Sequence, residues 1–138
     1  MTKINTVLGP IDSSNLGFTL SHEHICNGFG GSPFTFPEFL DLEATLERAS
    51  IDLLEAKDEG LKTIMDVAPH DQGRNIKLQQ EVSKRSGINI ITCTGTWLDV
   101  PRFFEGLHPN KIATLYIREI EEGIEGTEVK ASIIKVAS

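Results

Sequence analysis

A chain of 138 residues is long enough for one domain with its own core and too short for several. It is 39% hydrophobic and 24% charged, the balance of an ordinary soluble globular protein. Its net charge of -7 argues against nucleic acid as a partner, since phosphate wants a basic face, and no run approaches the roughly 18–20 apolar residues of a membrane span.

The N-terminus, Met1-Thr2-Lys3-Ile4-Asn5, has no apolar core and no small-residue cleavage site. A signal peptide is therefore not expected, and the cytoplasm is the expected location. Without secretion, Cys26 and Cys93 are expected to be free thiols.

In chain order, Ile4 to Val7 reads as extended and Gly9-Pro10 as a turn. Phe18 to Ile25 alternates like a strand. Cys26 to Phe39, rich in Gly, Pro and Phe, reads as a loop. Asp41 is suited to cap a helix whose Leu42, Leu46, Ala49 and Leu53 share one face, with Gly60 at its end. Leu61 to Val67 then reads as a buried strand. Asn75 to Ser86 predicts a helix with Ile76 and Val82 turned inward, closed by Gly87, and Ile88 to Thr94 the next strand. Asn110 is placed to cap a third helix striped by Ile112, Tyr116, Ile120 and Ile124, and Ala131 to Ala137 is the fourth strand. Strands alternating with helices imply right-handed βαβ units and a parallel sheet.

The fourth strand reaches the last residue with no helix after it, whereas parallel strands expect cover on both faces. A (β/α)8 barrel takes about 250 residues. The expectation is an α/β chain of TIM-barrel type, a single partial domain over residues 1–138 with about four parallel strands.

His22-Glu23-His24 lies near the end of the first barrel-type strand. Residues i and i+2 of a strand face the same side, so both imidazoles can reach one metal ion while Glu23 points away. Catalytic groups of a barrel gather at the carboxyl ends of its strands. A pair of solvated or hydrogen-bonded histidines fits the same three residues. Lys135 sits inside an apolar strand with Ile133 and Ala137 on its face. If that face lines a barrel, the amine is desolvated and nucleophilic, able to capture carbon dioxide as a carbamate. An edge lysine snorkelling to water is the alternative.

Gly17-Phe18-Thr19-Leu20-Ser21-His22-Glu23-His24 is similar to the opening strand of the phosphotriesterase family, within the amidohydrolase superfamily. Thr63-Ile64-Met65-Asp66-Val67, Gly73-Arg74-Asn75, Thr94-Gly95-Thr96-Trp97 and Ile133-Ile134-Lys135-Val136-Ala137 resemble later segments of that family, in the same order. The resemblance covers nearly the whole chain. It implies an eight-stranded barrel holding two divalent metal ions, zinc as a rule. His22 and His24 would bind the more buried ion, and a carboxylated Lys135 would bridge both. Trp97 would line the substrate pocket, although an ordinary core or rim aromatic fits that position too. The family's other ligands, two histidines and a catalytic aspartate, belong to strands five, six and eight, so no complete catalytic set is expected here. His70 and His108 are expected to face solvent, and Asp66 to be structural.

The expected function is hydrolysis of a phosphotriester, lactone or other ester through a metal-bridging hydroxide, with a small-molecule ester as substrate and neither nucleic acid nor membrane as partner. The chain alone, read as the N-terminal half of such an enzyme, is expected to be inactive. The alternative is a non-catalytic half-barrel that works as an interaction module or homo-oligomer through its open sheet edges.

Overall fold

A computed structural model describes residues 2–137, and within it the chain enters as a hairpin. Strand β1 (Lys3–Thr6) pairs antiparallel with β2 (Gly9–Asp12). Gly9-Pro10 is thus inside a strand rather than at the turn. Proline is tolerated there because a two-stranded ribbon has free edges that need no N–H. Thr6 closes the turn, its Oγ1 donating to the Gly9 carbonyl at 2.7 Å. Val7 at the tip is buried, and its N–H donates to the Ile90 carbonyl at 2.9 Å.

Next come β3 (Phe18–Glu23), β4 (Leu61–Asp66), β5 (Asn89–Gly95) and β6 (Ile133–Lys135). They pair in parallel, in chain order, as a four-stranded curled sheet. This is half of a TIM-type barrel. The segment expected to be a loop contains a short helix α1 (Ser32–Thr35) and a 3-10 turn (Pro37–Phe39). Three longer helices follow: α2 (Leu42–Asp58), α3 (Ile76–Ser86) and α4 (Pro109–Glu121).

Helix starts follow local chemistry. The Asp41 carboxylate accepts the N–H groups of Glu43 and Ala44, both at 3.0 Å, and Asn75 accepts that of Leu78 at 3.0 Å. The third start differs from expectation. His108 rather than Asn110 is the cap, its Nδ1 accepting the Asn110 N–H at 3.2 Å. Pro109, with its fixed φ and no N–H to satisfy, takes the first helical position and moves the start two residues earlier.

The core lies between the convex face of the sheet and the helices. Ile64 and Ile90 from the strands pack with Leu46, Ile76, Leu78 and Val82 from α2 and α3. Leu42, Ala49 and Leu53 lie against that cluster half-buried, as their helical spacing predicts. The last strand is shorter than expected. Ala131 donates to the Glu119 carbonyl of α4 and Ser132 to the Thr92 carbonyl of β5, and the paired strand itself spans Ile133–Lys135. Ile134 and Val136 are 57% and 74% exposed. A groove of about 680 Å³ runs beside β3, walled by Leu20, Leu40, Leu53 and Ile64.

Candidate metal and substrate site

Register decides which side chains share the concave face. Ile64 pairs with Ile90 and Asp66 with Thr92, and Ile64, Ile90 and Asp66 all engage the helical layer. Thr94 also faces outward, its Oγ1 donating to Glu119 of α4 at 2.6 Å. The alternate residues therefore face the concave side: Met65, Ile91, Cys93 and Gly95. Gly95 pairs with Lys135 and Cys93 with Ile133, which turns Lys135 inward. On β3, Leu20 pairs with Ile64 and Glu23 with Asp66, with a register shift between them. Glu23 thus points outward and the flanking His22 and His24 point inward.

The two imidazoles lie with ring centroids 5.2 Å apart and planes at 75°. Two imidazoles on one tetrahedral ion at about 2.0–2.1 Å have centroids roughly 5 Å apart, so the separation of this pair leaves room for a shared ion. The His24 pKa is lowered, first by burial and then by the charges of His22 and Lys135, with Glu23 opposing. Lys135 is therefore near enough to His24 to act on it electrostatically. Lowering favours the neutral imidazole, the form that ligates a metal. Among the described residues, no group of three or more His, Cys, Asp or Glu side chains is placed to hold a metal ion. The donors present are two imidazoles and an amine, which fit part of a metal centre.

Gly95 lets β6 come close enough to place Lys135. Its φ is +110°, and a Cβ there would collide with the Lys135 carbonyl oxygen. That carbonyl accepts the Thr96 N–H at 3.1 Å.

Trp97 follows directly and is 41% exposed at the carboxyl end of β5. Its backbone N–H donates to both carboxylate oxygens of Asp71, each at 3.0 Å. Asp71 belongs to the 3-10 turn His70–Gln72 after β4. The same turn's Gln72 carbonyl accepts the Gly28 N–H at 3.2 Å, so it also braces the loop after β3.

His108 is exposed, as its loop position suggested, but His70 is not the solvent-facing residue expected. The 3-10 turn tucks its ring against Phe103 and Phe104, with centroids 5.5 and 5.9 Å away. Its Nε2 is buried without a hydrogen-bond partner, and burial, first among several causes, lowers its pKa.

Two buried polar clusters support the site from behind. Asp66 is 1% exposed and accepts from Ala68 N–H at 3.0 Å, Ile25 N–H at 3.3 Å and Gln79 Nε2 at 2.9 Å. Through Ile25 it ties the residue after His24 to β4. Arg74, its side chain 2% exposed, forks onto Glu119 at 2.6 and 2.9 Å, bonds Glu125 at 3.1 Å and donates to the Cys93 carbonyl at 2.9 Å. Both cysteines are free and buried, and burial raises both thiols, Cys93 to about 12, which leaves them inert near neutrality. The sequence reading missed the Asp71 contact and the Arg74 fork. The available signal was Asp71 and Arg74 within one short segment between two buried elements.

His22, His24 and Lys135 thus lie near the carboxyl ends of β3 and β6, the end at which barrels of this type carry their chemistry. The phosphotriesterase family matches residues 2–138, and the chain belongs to that family. It is 34% identical to an aryldialkylphosphatase of Saccharolobus solfataricus over 93% of this chain and 41% of that protein. It is 34% identical to a phosphotriesterase homology protein of Mycobacterium tuberculosis over 100% of this chain and 45% of that one. An N-acetyltaurine hydrolase of Rattus norvegicus is 24% identical over 96% of the chain and 46% of its own length. The chain spans under half the length of these relatives, which are named for hydrolysis or for likeness to a hydrolase. No helix among the described residues is long and apolar enough to cross a membrane.

Proposed function

We propose that this chain contributes part of the centre of a metal-dependent hydrolase acting on ester-type bonds, a phosphotriester, lactone or other ester. What supports the reading is the register of β3 and β6, which assigns His22, His24 and Lys135 to one face of the sheet, together with the ring pair of His22 and His24 and the charge that Lys135 exerts on His24. His22 and His24 would hold one ion through neutral imidazoles. Lys135 as the free amine would add to carbon dioxide: its nitrogen forms a C–N bond as one C=O π bond opens onto oxygen and a proton leaves to solvent, and the resulting carbamate would offer oxygen ligands to metal. When bound, two divalent ions, zinc in our reading, make water acidic enough to supply a nucleophile near neutrality and polarise the bond under attack. Trp97 offers an apolar wall for the substrate. The family resemblance puts the remaining ligands and the proton-shuttling aspartate on strands beyond these four, so the 138-residue chain alone is expected not to turn over.

Equilibrium dialysis against zinc near neutral pH tests this. The chain is expected to retain zinc, and H22A, H24A and K135A each to bind at least about tenfold more weakly. H108A is expected to match wild type. Equal retention by all four variants would remove the assignment. A chain that holds no zinc but self-associates would favour an interaction module, a reading supported by the exposed Ile134 and Val136 and the groove beside β3.

A further inference from the structure

Trp97 is the chain's single tryptophan, and it sits on the segment that leaves β5 at the candidate site. What holds that segment comes from a different loop. We propose that Asp71 is a positioning residue that clamps the Trp97 backbone and so sets the shape of the wall that Trp97 gives the pocket. The significance for substrate rests on the function proposed above, whereas the clamp itself stands on geometry alone.

The Trp97 N–H points between the two Asp71 oxygens at 3.0 Å from each, a charge-assisted contact. Asp71 is itself held. The Gln72 N–H donates to the Pro69 carbonyl at 2.9 Å and the Arg74 N–H to the same oxygen at 3.3 Å, which closes the turn on both sides. Arg74 is then anchored by its fork to Glu119 and Glu125. Gly73 has φ +85°, and a Cβ there would press on the Gly28 backbone at 2.9–3.2 Å. Residues 69–74 are therefore a rigid bracket joining the loops after β3, β4 and β5. Asp71 is its contact to the third loop. A change in this bracket moves Trp97 without touching a metal-ligand candidate.

The test uses the whole chain without substrate or metal, so failure of the hydrolase reading leaves it intact. Amide hydrogen exchange reads the Trp97 N–H, and acrylamide quenching reads the lone indole. In wild type the Trp97 amide is expected to be protected. D71A is expected to lose roughly tenfold in that protection, the typical effect of removing an acceptor for a backbone donor. Its indole should become more accessible to quencher. D71N keeps one carbonyl acceptor and is expected to restore most of the protection, a rescue that a general loss of structure would not give. An unprotected Trp97 amide in wild type overturns the proposal, a result that does not depend on how the variants fold. So does a D71N chain as exposed as D71A, or a D71A chain indistinguishable from wild type.

Discussion

Replacing Arg74 with methionine is expected to lower the stability of the chain by about 3–5 kcal/mol, the typical cost of removing one member of a buried ion pair. The guanidinium is almost fully buried, and its loss leaves Glu119 facing Thr94 with no cation. Glu125, which also accepts the Ile76 N–H at 2.9 Å, loses its partner too. Burial alone would raise the Glu119 carboxyl, but the Arg74 fork and the Thr94 hydroxyl hold it below the usual range. Without Arg74 the carboxyl must protonate or draw in water. A domain of this size has about 5–15 kcal/mol in all, so R74M removes a large share. The combined variant R74M/E119L removes both charges and is expected to recover much of the loss. Urea unfolding measures both. A shift under about 1 kcal/mol for R74M would mean that the network is more solvated than its burial indicates.

The second large effect is a pH dependence centred on Asp66. Burial pushes its carboxyl from the ordinary 3.8 up to about 6, against the bonds from Ala68, Ile25 and Gln79 and the charge of Arg74. A raised folded-state value means that the native state binds the proton more tightly than the unfolded chain. The stability this confers is fully present below about pH 4 and is lost as pH rises through about 6, by about 3 kcal/mol in total. Glu119 has the opposite sign, since its lowered value gives stability that is lost on acidification, so the total curve mixes the two. The informative quantity is the difference between wild type and D66N, in which residue 66 stays neutral. From pH 4 to pH 7 wild type is expected to lose about 2 kcal/mol relative to D66N. A difference that stays flat across that range contradicts a buried, protonatable Asp66.

Much of this molecule was legible in its sequence because the relevant signals are local. The apolar runs that became β4 and β5, the caps Asp41 and Asn75, and glycines 60 and 87 act within a few residues of themselves. The spacing of His22 and His24 implies a common face in a regular strand, whereas β3 has a register shift between Leu20 and Glu23 and ends at Glu23, just before His24. Other features were hidden because they depend on distant partners. Whether Gly9-Pro10 turns or extends depends on pairing with Asn5 and Thr6. His70 looked like a loop residue, yet the aromatic pair that buries it comes from Phe103 and Phe104. Asp71 is an unremarkable acid until the chain returns 26 residues later with the Trp97 amide. The start of β6 likewise depends on a distant partner, since the Ala131 N–H is taken by the Glu119 carbonyl of α4.

Paramagnetic broadening tests the central claim most directly: that His22, His24 and Lys135 surround one metal position. Cobalt(II) would be titrated into the labelled chain while the imidazole and lysine side-chain resonances are followed. The signals of His22, His24 and the Lys135 ε-methylene are expected to broaden together at the lowest cobalt additions, while His70 and His108 stay sharp. Broadening that reaches the imidazoles and spares Lys135, or that begins at His70 or His108, would contradict it.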